Sequence, residues 1–147
     1  MLSWWRHKPS SLALINGVIA GLAGVTPASG FINTQWTILL GFILGITSYF
    51  AVILMKFKLR VDDALDVSSV HGLTGALGAI FIGFASQKSV NPISGRDGLF
   101  YGDHGRQLGM QVLGVTVAAV WSGVITFILL KLIRYTFRES LKLTHDE

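Results

Sequence analysis

The chain has 147 residues, 51% of them hydrophobic and only 14% charged, where soluble domains carry about 25% charged residues; an average soluble domain is excluded. The net charge of +4 does not point to nucleic acid, because Lys and Arg flank apolar stretches and do not gather on one soluble face. With no cysteine in the sequence, disulfides, thiolate metal sites and cysteine nucleophiles are excluded as well.

No charged residue lies between Lys8 and Lys56, between Asp66 and Lys88, or between Arg106 and Lys131. A bilayer core about 30 Å thick needs about 20 apolar residues in helical form. The first gap holds two such stretches and the others one each, so the expectation is an all-α bundle of four membrane helices.

The first span is expected over residues 12–28. Gly17 and Gly21 stand at GxxxG spacing, with Gly24 a turn further on, and Thr26-Pro27-Ala28-Ser29-Gly30 breaks the helix. Arg6 and Lys8 ahead of an apolar run imitate a secretory signal peptide. The run is long and glycine-ridged, however, and three more spans follow it. The second span is expected over residues 36–55, with Gly41 and Gly45 at the same spacing, and Lys56-Phe57-Lys58-Leu59-Arg60 ends it. Asp62, Asp63 and Asp66 lead into the third span, residues 67–85, which contains His71. The polar stretch from Ser86 to Arg106 carries the turn signals Asn91-Pro92, Ser94-Gly95 and Asp97-Gly98. The fourth span is expected over residues 107–130, and Lys131, Arg134, Arg138 and Lys142 follow.

Counting Lys and Arg in alternate connections gives nine on the side of the two termini and three on the other. The positive-inside rule therefore puts both termini in the cytoplasm and the Ser86–Arg106 loop outside. The glycines permit close backbone approach, which is what drives helices together in lipid. An ideal α-helix would place His71, Gly75, Gly78 and Ile82 on one stripe, with the histidine directed into the bundle.

His71 is the leading candidate for chemistry. An ionisable group within a span is a functional-site hypothesis by default, and a neutral imidazole both donates and accepts hydrogen bonds. A structural histidine bonded to a neighbouring helix is the other reading of the pattern. Thr74 and Gly75 stand where a second metal ligand on the same face would have to be, so no metal site is expected. Asp62, Asp63 and Asp66 can cap free amides and favour the positive end of the helix dipole; drawing a cation inward is the alternative. Trp121 reads as a packing residue, and His7, His104 and His145 as ordinary solvated ones. One buried histidine without cysteine or an acid on its face offers no catalytic constellation.

Lys8-Pro9-Ser10, the run from Gly17 to Phe31 (GVIAGLAGVTPASGF) and the run from Val61 to Gly83 (VDDALDVSSVHGLTGALGAIFIG) resemble, in order, the signatures of ammonium transporters of the Amt/Mep/Rhesus family. Gly98 to Gly102 (GLFYG), Gln107 with Gln111, and Trp121-Ser122 continue the likeness over almost the whole chain. Ser68-Ser69 departs from the Phe-Gly of many relatives. The resemblance implies an eleven-helix protomer, two inverted five-helix repeats plus a final helix, assembled as a homotrimer with one pore per protomer. These spans would be helices eight to eleven, and the chain a fragment lacking the first pore histidine, the outer recruitment site and the phenylalanine gate.

By that resemblance His71 is the second pore histidine, Thr26 lies near the pair, Ile19 and Val67 line the hydrophobic conduit, and Asp63 and Asp66 are the acids at the base of the helix. The implied activity is ammonium/ammonia transport across a membrane, the plasma membrane above all, with lipid and like subunits as partners and no cofactor. The alternative is a transport-incompetent pseudo-subunit that assembles with full-length relatives and modulates them.

Overall fold

A computed structural model describes residues 11–61, 63–93 and 95–137, and every regular element among them is helical. Helix α1 covers Ser11–Val25 and passes into a 3-10 turn, Thr26–Ala28. Helix α2 covers Thr34–Ile53 and continues as a π-helical turn, Leu54–Lys58. A second π-helical segment, Ser68–Leu73, opens helix α3, Thr74–Ala85. A 3-10 turn at Leu99–Tyr101 and helix α4, Arg106–Phe137, complete the order. The calls on His7, His145, Lys8-Pro9-Ser10, Asp62, Ser94, Arg138 and Lys142 lie outside the described residues.

Among the described residues, three helices are long and apolar enough to cross a membrane: Thr34–Lys58, Ser68–Ala85 and Arg106–Thr136. The first apolar helix is shorter. Its α-helical part holds 15 residues, about 22 Å at the helical rise, and Pro27 then tightens the backbone into the 3-10 turn. Gly30 follows with a positive φ of 82°, a conformation open to a residue without Cβ. Asn33 starts α2 as its cap, the side-chain oxygen accepting from the Trp36 amide at 3.0 Å.

The chain divides into two compact units, residues 1–112 and 113–147. In the first, α1 and α2 run antiparallel and meet at their glycines. A Cβ on Gly21 would lie 3.1 Å from the Gly41 carbonyl oxygen, and one on Gly45 3.2 Å from that of Gly17. Gly24 and Gly78 bring α1 against α3 so closely that a Cβ on Gly78 would collide with the Gly24 carbonyl oxygen. Close main-chain contact of this kind holds helices together where lipid competes equally for apolar side chains. The apolar core of Ala28, Ile32, Leu40, Leu44, Ile82 and Ala85 gathers at the end of the bundle where α1 stops and α2 begins. Trp36 covers it, edge-on to Phe81 at 5.8 Å and stacked on Phe100 at 5.4 Å.

The loop after α3 is tied to that end. Ser86 Oγ donates to the Arg96 carbonyl (2.7 Å), the Lys88 amide to Asp97 (2.9 Å) and the Gln87 amide to the Phe31 carbonyl (2.8 Å). Tyr101 receives the indole N–H of Trp36 at 2.8 Å and the side-chain amide of Gln87 at 2.9 Å. The second unit, from Leu113 on, is helical through Phe137 and exposes apolar side chains around its circumference. Trp121, expected to pack, is 69% exposed within it.

Candidate functional site

At the end of the bundle that carries Lys56, two carboxylates organise the entry to the third span. Asp63 closes the start of the helix: its side chain accepts from the Val67 amide (3.0 Å), the Ser68 amide (2.8 Å) and the Ser68 hydroxyl (2.6 Å). The Ser68 hydroxyl and amide hold the Asp63 carboxyl below the usual carboxylate range; desolvation opposes them, and the Val67 and Leu65 amides add lesser contributions in the lowering direction.

Asp66 is buried, 8% exposed, and its φ of 56° is left-handed. Its carboxylate takes the side-chain N–H of Asn16 on α1 at 3.0 Å and pairs with Lys56 at the end of α2 at 2.9 Å. Its carbonyl accepts the amides of Ser69 and Val70 at 3.1 and 2.8 Å. One residue therefore joins α1, the end of α2 and the first turn of the helix that bears His71.

The π-helical turn corrects the expected stripe. A π turn takes up one residue more than an α turn, and the packed face consists of Val70, Thr74, Gly78 and Ile82, spaced by four. His71 stands one residue off that face and is exposed, as are Gly72 and Leu73. The histidine therefore does not point into the bundle formed by the described residues. No hydrogen bond or ion pair of its ring occurs among them.

Asn16 against Asp66 and Gly24 against Thr74 set α1 and the third span in parallel register. Ile19, 39% exposed, falls between these anchors at the level of the π turn, which Val67, 49% exposed, precedes. Thr26 lies beyond Gly24, with its hydroxyl donated to the Leu22 carbonyl at 3.0 Å. The structure thus places Ile19 beside the π turn that carries His71 and Val67 just before that turn, and records no bond between Thr26 and the ring. Asn16 and Lys56, which hold Asp66, were not among the expected site residues. A lone amide inside the first apolar span was the available signal for Asn16; nothing in the local pattern pairs Lys56 with an acid ten positions on.

The model of the Ammonium Transporter Family matches residues 1–147. "Ammonium transporter 1" of Dictyostelium discoideum is 52% identical over 147 residues, covering 100% of this chain and 31% of the relative. "Ammonium transporter" of Aquifex aeolicus is 36% identical over 136 residues, 91% of this chain and 31% of the relative. The crystal structure of Saccharomyces cerevisiae Mep2 superposes with a TM-score of 0.86 at 34% identity, over 99% of this chain and 33% of that one. The chain spans about a third of the length of the relatives it matches.

Proposed function

The chain belongs to the ammonium transporter family, and on that premise we propose that it forms part of a path by which ammonium crosses a membrane as ammonia. It is a membrane protein of a transporter family, not an enzyme. A bare cation loses many kcal/mol of hydration in an apolar conduit, so ammonium passes its proton to water at the entrance and neutral ammonia proceeds. His71 offers that guest a donor and an acceptor, Ile19 and Val67 form apolar wall beside it, and Thr26 lies further along α1. Asp63 and Asp66 hold the helix that presents the imidazole.

One observation carries this reading: an imidazole in an uncharged span that turns away from its own packed face without a hydrogen-bond partner among the described residues. Such a ring is of little use to folding and is available to a passing solute. The test is a chimera in which residues 1–147 replace the matching third of the Dictyostelium relative. There His71→Ala should cost about 1–3 kcal/mol for the polar partner it leaves unpaired and still give an assembled protein, while ammonium-dependent conductance falls at least tenfold. His71→Glu should admit cations, read as potassium current. Assembled variants that conduct like the parent would refute the pore role.

The same reading makes the assembly a homotrimer in the plasma membrane with both ends of this chain cytoplasmic. A cysteine at Ser140 that reacts with an impermeant reagent added outside intact cells would overturn the orientation, and native mass spectrometry checks the trimer. The pseudo-subunit alternative, prompted by the one-third coverage of its relatives, predicts that the 147-residue polypeptide co-purifies with a full-length relative without restoring growth on low ammonium.

A further inference from the structure

The connection that follows α3 folds around an open polar cleft of about 500 Å³, with Lys88, Ile93, Arg96, Asp97, Tyr101 and Asp103 among its walls. Two cations and two carboxylates thus line one space, yet no ion pair joins them; the pair recorded among the described residues is Lys56 with Asp66. The acids are held by other bonds. Asp97 accepts the Lys88 amide at 2.9 Å through Oδ1, and Asp103 accepts the Gln107 amide through Oδ2. Each carboxylate uses one oxygen in this way and keeps the second.

The backbone of the cleft is fastened as well. The Gly95 amide donates to the Asn91 carbonyl and the Gly98 amide to the Ser86 carbonyl, both at 2.8 Å. The Tyr101 oxygen is fixed by Trp36 and Gln87. A site formed before its guest arrives loses less freedom on binding. Its level is set by the third span. Ser68–Ala85 has 18 residues, about 27 Å at the helical rise, against a hydrocarbon core of about 30 Å. Lys88 comes three positions after Ala85, so the cleft belongs to the headgroup layer, about 5–7 Å thick on each side. Ile93, 98% exposed, gives it an apolar wall.

A simple ion does not match such walls, because an anion meets two acids and a cation meets two basic groups. A zwitterion is complementary to both. Arginine takes phosphate oxygens two at a time and lysine takes them as a point charge. A carboxylate only accepts, so the positive end of the guest must carry N–H donors.

We propose that this cleft binds a phosphoethanolamine zwitterion, its phosphate on Lys88 and Arg96 and its primary ammonium on Asp97 and Asp103, supplied by a phospholipid headgroup or by the free glycerol ester. Phosphocholine has no N–H and matches the phosphate side alone. The site does not depend on the conduction reading of His71, and its test has no transport readout.

The full chain is placed in bilayers of equal parts phosphatidylethanolamine, phosphatidylcholine and phosphatidylglycerol, and the lipids it retains are counted by native mass spectrometry. The parent should keep phosphatidylethanolamine several-fold over the other two. Arg96→Gln combined with Asp103→Asn removes one charge of each sign. It leaves the net charge at +4 and an acceptor for the Gln107 amide, and should abolish the preference. Lys88→Gln, whose side chain bonds no described residue, takes its place should the double variant fail to fold. A second arm adds soluble glycerophosphoethanolamine without phospholipid and follows the Arg96 guanidinium by ¹⁵N NMR. A lipid preference lost in the variants identifies the headgroup. Without a lipid preference, a ¹⁵N shift on adding the ester identifies the free zwitterion. A parent that shows neither, or a preference that persists in the variants, overturns the proposal.

Discussion

Replacing Asp66 separates two terms that the structure places in one residue. Its carboxylate holds the Asn16 amide and Lys56, and its backbone sits at a φ of 56°. A hydrogen bond to a charged group contributes about 1.5–3 kcal/mol. Lys56 is 41% exposed, so the ion pair is screened and adds about 0.2–1 kcal/mol. The left-handed conformation costs most L-residues roughly 1–2 kcal/mol, while Asn and Asp visit it readily and Gly freely. Asp66→Ala loses both side-chain contributions and incurs the backbone cost, and should destabilise by about 3–6 kcal/mol. Asp66→Gly loses the side-chain bonds only and should fall about 1–2 kcal/mol short of that. Asp66→Asn keeps the backbone and an acceptor for Asn16, and should cost about 1–2 kcal/mol. Unfolding by denaturing detergent, followed through the fluorescence of Trp36 with the other tryptophans changed to Phe, reads the series. An Ala variant within about 0.5 kcal/mol of the Asn variant would refute the three-helix clamp. A Gly variant less stable than the Ala variant would refute the backbone argument.

Two further predictions concern the third span and the residues that lead into it. Gly78→Ala drives a Cβ into the Gly24 carbonyl oxygen and should cost about 1–3 kcal/mol by overpacking, while Gly75→Ala on the same helix meets nothing within 4 Å and should be neutral or slightly stabilising; equal midpoints would contradict the close crossing. Asp63 has its carboxyl held below its ordinary value of 3.8, so its contribution is fully present above the unfolded value and is lost as pH falls through the lower folded one. Asp63→Asn should therefore lower the thermal midpoint near neutral pH and converge with the parent once the pH has fallen below the lowered folded-state value, and a gap that persists on such acidification would count against the capping charge.

Much of this molecule follows from the order of residues along the chain. Uncharged runs from Lys8 to Lys56, from Asp66 to Lys88 and from Arg106 to Lys131 specify apolar helices, because a bilayer core admits few charges and sets the length that must be apolar. Glycines at positions 17, 21, 41 and 45 announce close helix crossings before any partner is known, since small residues have one main use between helices in lipid. His71 stands out by the same logic, and the motifs around it carry the family.

The direction in which that histidine faces was decided only in three dimensions. Helical periodicity assumes 3.6 residues per turn, and the π turn at Ser68–Leu73 breaks the assumption just where the ring sits, moving the packed stripe to Val70 and Thr74. The pairing of Asp66 with Asn16, fifty positions away, also depends on how α1, α2 and α3 cross. Burial and hydrogen-bond satisfaction belong to the assembled helices; local propensity records which residues tolerate a span, while their contacts depend on the packing between spans.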